Sequence, residues 1–318
     1  MTSDAYLHVG MPRFQRLSDA VSIMDQHGID RALVCAFQTC PDLQTVHQAI
    51  VEHPGRFIAA GLPIGGDRTE ITAGIRAQFE AGFTGLRVSG DHVRDWPWVL
   101  DLIGEYGGFA LVCDDVRFAD DAAILLDHLD RHEDGLVIGG HFAGPREPGA
   151  VAGEPALGEL FAHPRFAVNF SRQALFPHDL IEEWAATLIE QVGWERIMWA
   201  SEAPVLHWRD ESIGTAMQWI DRFSPTDAQR QGFFEENARR LLWSRPQREV
   251  RDLDLPFDPF DYRVSKPAPM WNFGLALDDG LPGRMLEGWV AWGGPERGVL
   301  RHYLEAVLDE HLPPGGGA

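Results

Sequence analysis

The chain has 318 residues, 45% of them hydrophobic, enough apolar mass for one large core or a domain with an appendage, which excludes disorder throughout. Asp and Glu number 48 against 27 Lys and Arg, a formal net charge of -21 at pH 7; that field repels phosphate backbones, so nucleic acid is not an expected partner. Lys266 is the one lysine, which leaves no raw material for Schiff-base or phosphate-cradling lysine chemistry.

Short apolar runs alternate along the chain with segments of helical periodicity, the signature of βα units around a parallel sheet. The expected strands are Ala5 to Val9, Ala32 to Phe37, Phe57 to Leu62, Gly85 to Val88, Ala110 to Cys113, Leu136 to Gly139, Phe166 to Phe170 and Ile197 to Ala200. Between them, Ser18 to His27, Leu43 to Glu52, Thr69 to Ala81, Asp120 to Arg131 and Leu180 to Val192 carry apolar residues at three- and four-residue steps. Gly28, Gly55, Gly82 and Gly193 follow the last periodic residues, where a left-handed position favours glycine. A last helix, Thr226 to Trp243, starts on a threonine cap. Eight such repeats predict a closed (β/α)8 TIM barrel over residues 1–245, because an open doubly wound sheet carries about five or six strands. No Gly-x-Gly-x-x-Gly follows a strand, which argues further against a dinucleotide fold.

From Arg245 the composition shifts to prolines (Pro246, Pro256, Pro259, Pro267, Pro269) and tryptophans (Trp271, Trp289, Trp292), so residues 246–318 read as a C-terminal extension. Its helix from Glu296 to His311 presents Val299, Leu300, Tyr303, Leu304, Val307 and Leu308 on one face. That face is expected to pack on the barrel, with a lid or the contact of a homo-oligomer as alternatives; the tail Pro313 to Ala318 is expected to be disordered. Cys35, Cys40 and Cys113 form no disulfide-like framework, and no stretch reaches the roughly 18 apolar residues of a membrane span. A cytoplasmic protein without a membrane partner is expected.

In a parallel barrel the reactive groups lie where strands finish. That rule selects Tyr6 and His8, Arg87 and Ser89, Cys113 with Asp114 and Asp115, His141, Asn169 with Ser171 and Arg172, and Ser201 with Glu202. One strand-end imidazole is usually a satisfied hydrogen-bonding group, but two histidines and several carboxylates at one mouth form either an acid/base set or a site for zinc, manganese or iron. Arg87 and Arg172 each present a fork for a substrate carboxylate or pair with a neighbouring acid. If both face the mouth, the substrate is an anionic small molecule despite the acidic bulk. His27, His47, His53, His128, His132 and His163 fall on helices or at their ends, and His207 is held in reserve after the last strand.

At these strand ends the sequence resembles the amidohydrolase-related family, the branch of the decarboxylases and pyrone-dicarboxylate lactonase, over most of residues 4–243. Asp4-Ala5-Tyr6-Leu7-His8 is similar to the family's opening Asp-x-His-x-His, and Gly82-Phe83-Thr84-Gly85-Leu86-Arg87 to its strand-four pattern. Gly140-His141-Phe142-Ala143-Gly144 resembles the strand-six histidine motif, Ala200-Ser201-Glu202-Ala203-Pro204 the Gly-Ser-Asp-x-Pro of strand eight, and Asn237-Ala238-Arg239-Arg240-Leu241 the closing Asn-Ala-x-Arg-Leu. The resemblance implies catalytic roles for Glu202, His141 and His8, with Tyr6 assisting, while the strand-end reading gives Arg87, Arg172, Ser171 and Asn169 as the candidates for substrate binding. It implies a metal set of His8, Asp114 and Glu202 if a metal is bound. Tyr6 stands in the place of the first metal histidine and Cys113-Asp114-Asp115 where another is expected, so a metal-free site is favoured over a single divalent ion.

The function expected is hydrolysis of a small cyclic ester or amide bearing an acidic group, with Glu202 as base for water and His141 polarising the carbonyl. The alternatives are a lyase that decarboxylates an unsaturated or aromatic acid, and a barrel without catalysis that acts as a binding partner.

Overall fold

A computed structural model describes residues 1–263 apart from positions 12, 114–116, 148 and 210, together with residues 281–294 and 300–311. Asp114, Asp115, the predicted helix start at 296–299 and the tail at 313–318 lie outside the described residues. All eight predicted strands are present: β1 Ser3–His8, β2 Arg31–Cys35, β3 Phe57–Gly61, β4 Gly85–Val88, β5 Phe109–Val112, β6 Leu136–Gly139, β7 Phe166–Phe170 and β8 Ile197–Trp199. Each pairs in parallel with the next in chain order, as a (β/α)8 barrel requires.

Alternation along the strands builds two cores. Tyr6, Leu33, Cys35, Ile58, Phe109, Leu111 and Met198 fill the barrel, whose lower end is stopped by Ala238, Leu241 and Leu242. The opposite positions, such as Leu7, Val34 and Val112, pack against the helices. Those helices include α1 Leu17–Gln26, α2 Leu43–Glu52 and α3 Arg68–Glu80. Between β4 and β5, where His92 to Trp98 was expected as a loop, the chain forms two helices, α4 Gly90–Asp95 and α5 Pro97–Glu105. Ser89 caps the first with His92, and Pro97 sits in the first turn of the second, where its missing N–H costs nothing. The ring continues with α6 Phe118–Arg131, α7 Ala150–Gly153, α8 Pro155–Ala162, α9 His178–Gln191, α10 Ile213–Gln218 and α11 Asp227–Gln231.

The predicted last helix does begin on Thr226, whose hydroxyl accepts from the Gln229 N–H, but it widens into π-helical turns at Gly232–Glu236 and Arg239–Trp243. Asn237, between those turns, donates to the Trp194 and Ile197 carbonyls at 2.7 and 2.8 Å and so ties the helix to the base of β8. The glycines expected past helix ends have positive φ: +65° at Gly28, +78° at Gly55, +105° at Gly82 and +87° at Gly193.

Closure falls between β1 and the segment after β8. The Glu202 N–H donates to the Tyr6 carbonyl and the His8 N–H to the Ala203 carbonyl, both at 2.8 Å. Beneath them the buried Asp4 carboxylate accepts from the Ser201 N–H at 2.9 Å and the Ser201 hydroxyl at 2.5 Å, and from the Tyr6 N–H at 3.1 Å. Burial pushes the Asp4 carboxyl up to about 7, against the lowering effect of those three hydrogen bonds.

Asp4→Ala strands the Ser201 and Tyr6 donors and is expected to cost about 3 kcal/mol in urea denaturation; a loss under 1 kcal/mol is the contrary result. His128 on α6 is fully buried, and neither of its ring nitrogens has a hydrogen-bond partner among the described residues. Burial, with His132 and Arg131 nearby, lowers its pKa from 6.5 to about 4. The folded value lies below the unfolded one, so the contribution of His128 to stability is at its best above pH 6.5 and worsens as pH falls toward 4. His128→Leu is therefore expected to stabilise the chain by about 1 kcal/mol at neutral pH, with a further gain of about 1.4 kcal/mol per pH unit between 6.5 and 4.

Candidate functional site

The strand-end residues converge. Tyr6 stands between the two histidines, its ring centroid 4.9 Å from His8 and 4.9 Å from His141 in edge-on contacts. His141 Nε2 lies 3.8 Å from Glu202 Oε1. Residues from β1, β6 and β8, far apart in the chain, thus meet at one end of the barrel.

Glu202 is the centre of charge. Arg172 Nε donates to Oε1 at 2.7 Å, with Nη2 on the same oxygen, and Arg209 Nη1 donates to Oε2 at 2.7 Å. Burial alone would raise its pKa, but Arg172, His141 and Arg209 outweigh that and hold the carboxyl well below the usual 4.5. An acid with both oxygens engaged by guanidiniums is a weak base, so the geometry does not favour the base role expected of Glu202. Arg172 takes the second of its two expected forms, pairing with a neighbouring acid.

His141 is held by its neighbours on β7. Its N–H donates to Asn169 Oδ1 at 2.8 Å, and Nδ1 lies 2.8 Å from Ser171 Oγ. A Ser171 hydroxyl turned to Asn169 Oδ1, 3.3 Å away, matches the neutral His141 tautomer that carries its proton on Nδ1 and a lone pair on Nε2. Asn169 Nδ2 is buried and has no hydrogen-bond partner among the described residues.

The backbone at these residues is unusual. His141, Phe142 and Ala143 have φ of +53°, +59° and +52°, one turn of left-handed chain made without glycine until Gly144 at +69°. Arg172 at +68° and Glu202 at +56° are left-handed too. Each such residue costs about 1–2 kcal/mol, and the surroundings hold the turn: Phe142 N–H donates to the Asn169 carbonyl at 2.9 Å and the Trp184 indole to the Phe142 carbonyl at 2.7 Å. Gly140, just before the turn, leaves room for Cys113, since a Cβ there would collide with its Sγ. Strain gathered at three strand ends is a mark of a functional site.

The other candidates form walls. Arg87, 2% exposed, donates from Nε to the Tyr6 hydroxyl at 2.8 Å and lies over the Phe37 ring at 4.3 Å. His8 Nδ1 is 3.1 Å from the Cys35 carbonyl, and its ring stacks on Phe14 at 4.2 Å. Burial lowers the His8 pKa to about 3, despite the attraction of Glu202, so the ring is neutral at pH 7. Burial likewise raises the Tyr6 hydroxyl well above its usual 10, so it keeps its proton.

The sequence reading missed Arg209, Glu211 and His92. Glu211 is buried and hydrogen-bonded to Gln173, and burial raises it to about 7 against the pull of Arg209. His92 accepts from the Ser89 N–H at 3.0 Å, and burial lowers its pKa to about 4. Extending the strand-end rule to the loop after β8 would have reached Arg209 and Glu211, and the Ser89-x-x-His92 spacing would have reached the cap. His207, held in reserve, is buried beside Trp289 of helix α12, Leu281–Trp292, at 5.5 Å between rings.

Two of the expected donors do not suit a divalent metal: both Glu202 oxygens carry guanidiniums, which would repel a dication, and the Tyr6 hydroxyl accepts from Arg87. His8, with Nδ1 on the Cys35 carbonyl, presents Nε2 as a ligating histidine does. Asp114, the remaining ligand expected, lies outside the described residues, and among those described no group of three His, Cys, Asp or Glu side chains is placed to hold an ion.

The fold is thus a (β/α)8 barrel with histidine, carboxylate and arginines gathered at its strand ends, the face on which such barrels carry their sites. A sequence profile of the amidohydrolase family matches residues 8–242, and the chain belongs to that family. Among solved structures it is similar to a putative 2-pyrone-4,6-dicarboxylic acid hydrolase from Pseudomonas putida, with 19% identity over 77% of this chain and 98% of that one and a TM-score of 0.60. It is also similar to 2,6-dihydroxybenzoate decarboxylase from Rhizobium (17% identity, 76% and 98% covered, TM-score 0.55). An amidohydrolase from Burkholderia multivorans with bound zinc matches at 14% identity, 76% and 98% covered and a TM-score of 0.57. No curated protein matches. Among the described residues, no helix is long and apolar enough to cross a membrane.

Glu202→Gln leaves two guanidiniums facing an amide and is expected to cost about 3–5 kcal/mol at pH 7 by chemical denaturation. Because the folded carboxyl titrates below its usual 4.5, its contribution is full above that value and is lost only as pH falls further. The gap between variant and wild type should therefore close below pH 4.5 and stay constant above it.

Proposed function

We propose that the chain hydrolyses a small cyclic ester or amide bearing a carboxylate. The observation that carries this reading is the Arg172–Glu202–Arg209 cluster beside His141: two guanidiniums around one ionised acid leave a net positive mouth in an acidic protein, with an imidazole next to it. Arg172 and Arg209, with side chains 19% and 17% exposed, are the cations a substrate carboxylate meets first, and Arg87 lies deeper. The similarity to a 2-pyrone-4,6-dicarboxylic acid hydrolase supports a cyclic ester with acidic groups.

The base is His141. Its Nε2 lone pair takes a proton from water as the oxygen attacks the carbonyl carbon, and the imidazolium formed is stabilised by Glu202 at 3.8 Å. Glu202 thus acts as a fixed negative charge. Asn169 and Ser171 position the imidazole, and the Asn169 Nδ2 donor is available for the oxyanion. His8 and Tyr6, the neutral imidazole and the protonated phenol, serve as walls, the phenol orienting Arg87. Proton return to the leaving oxygen closes the cycle from the same His141.

Glu211 favours a second reading, decarboxylation of an unsaturated acid. A buried carboxyl that holds its proton up to about 7, two residues beyond the cation-bearing turn at Val205–Arg209, is suited to protonate a carbanion.

A panel of carboxylated lactones, followed by acid release and by evolved carbon dioxide, separates the two. Hydrolysis without carbon dioxide is expected, with kcat falling about 10²–10⁴-fold in His141→Asn. Turnover unchanged in that variant would reject the mechanism, and carbon dioxide in stoichiometric yield would select the lyase.

A further inference from the structure

His141 opens a turn whose hand its own sequence does not select. His141, Phe142 and Ala143 are left-handed, and the turn closes on two local bonds, from the Ala143 N–H to the Gly140 carbonyl at 3.0 Å and from the Gly144 N–H to the His141 carbonyl at 3.2 Å. A right-handed turn makes the same pair of bonds without pressing each Cβ against the following carbonyl oxygen, so these L residues left to themselves favour the opposite hand. What fixes the observed hand reaches the turn from outside it.

Part of that hold comes from β7. Asn169 accepts the His141 N–H on Oδ1 at 2.8 Å and the Phe142 N–H on its backbone carbonyl at 2.9 Å, and Phe170 stacks on the Phe142 ring at 4.3 Å between centroids. The rest comes from the helix layer. Trp184, fully buried on α9 with Ile181, Ala185 and Leu188, donates its indole N–H to the Phe142 carbonyl at 2.7 Å. Its rings meet Phe161 at 6.1 Å between centroids, a packing that phenylalanine would also supply, so the N–H is what the indole adds. Inverting the turn would re-aim the Phe142 carbonyl and leave a buried donor and a buried acceptor unpaired. It would also swing the His141 side chain away from Ser171 Oγ, now 2.8 Å from Nδ1, and from Glu202 Oε1, 3.8 Å from Nε2.

We propose that Trp184 is a positioning residue for His141: its hydrogen bond to the Phe142 carbonyl holds the turn left-handed, and the turn aims the imidazole. The effect on rate rests on His141 as the base of the proposed function; the effect on the orientation of the ring does not. Trp184 acts through the backbone and meets no substrate, so its loss is felt in kcat rather than in KM. Ala143→Gly separates this role from mere packing. Glycine enters the left-handed region about as readily as the right, so that substitution removes the cost of the hand and the need for the tie. A core damaged only by loss of the indole gains nothing from it.

The test uses the full chain with its imidazoles labelled with nitrogen-15. Their shifts are read by NMR at neutral pH, the His141 signals being assigned by their disappearance in His141→Asn, and hydrolysis of carboxylated lactones is followed in parallel. In the wild type His141 is expected to show one neutral tautomer, protonated on Nδ1. In Trp184→Phe its two nitrogens are expected to average toward a mixture of tautomers, with kcat down about 10- to 100-fold and KM unchanged. Trp184→Phe combined with Ala143→Gly is expected to regain the single tautomer and most of the rate, and Ala143→Gly alone to behave as wild type. A mixture already present in the wild type, wild-type shifts in Trp184→Phe, or altered shifts that Ala143→Gly does not reverse would overturn the positioning role; altered shifts with kcat unchanged would overturn its bearing on catalysis. If Trp184→Phe does not fold, benzothienylalanine at 184, which keeps the shape of the indole and lacks its N–H, is judged by the same criteria. A chain that gives the expected shifts but hydrolyses no lactone would reject the proposed function and leave the inference standing. Hydrolysis that is lost in His141→Asn and untouched in Trp184→Phe would reject the inference alone.

Discussion

Everything at the mouth depends on how the barrel closes. Parallel neighbours from β1 to β8 are joined by regular ladders, but the last junction uses two backbone bonds, from Glu202 to Tyr6 and from His8 to Ala203, above the Asp4 carboxylate that binds Ser201. The residues that close the cylinder are therefore the residues of the site, or their immediate neighbours. A carboxylate buried for this purpose suffers desolvation, visible in the rise of Asp4, and is retained because it satisfies three donors that would otherwise be stranded. Structural and chemical demands fall on the same few residues, so the placement of Glu202 is a by-product of closure.

The electrostatics at this end run against the rest of the chain. A protein with a formal charge of -21 gathers Arg172 and Arg209 around one ionised acid and sets Arg87 on the Tyr6 hydroxyl, while burial keeps the His8 imidazole neutral. Water is largely excluded there, with His8, His141 and Glu202 each 5% exposed or less, so short-range charge pairs outweigh the distant negative surface. The pairing also explains why a carboxylate and a histidine divide the labour as proposed: two guanidiniums fix the first as an anion, and a hydroxyl and an amide orient the second.

Much of the architecture was legible because it rests on local periodicity. The strands repeat apolar runs, and Thr226 and the glycines past helix ends mark boundaries that depend on near neighbours alone. The two helices between β4 and β5 escaped because they are short and are set by a Ser–His cap and by Pro97. Of the site, the strand-end rule found His141, Ser171, Asn169, Arg172 and Glu202, but their partnerships were hidden. Nothing in the order Ser201-Glu202 shows that both oxygens are taken by arginines, one from another strand end and one from an aperiodic loop. The indole bond from Trp184 to the Phe142 carbonyl was equally invisible, since it joins positions 42 residues apart in the chain.

The left-handed turn at His141, Phe142 and Ala143 has a consequence for how this lineage can vary. Handedness, rather than size or polarity, filters what those positions accept. Branching at Cβ is penalised most, while glycine and asparagine are tolerated conformationally yet discard the ring that Trp219 packs against at Phe142. Drift through this stretch is thus confined to a narrow corridor, in which replacements that look conservative on a similarity scale are among the least permissible.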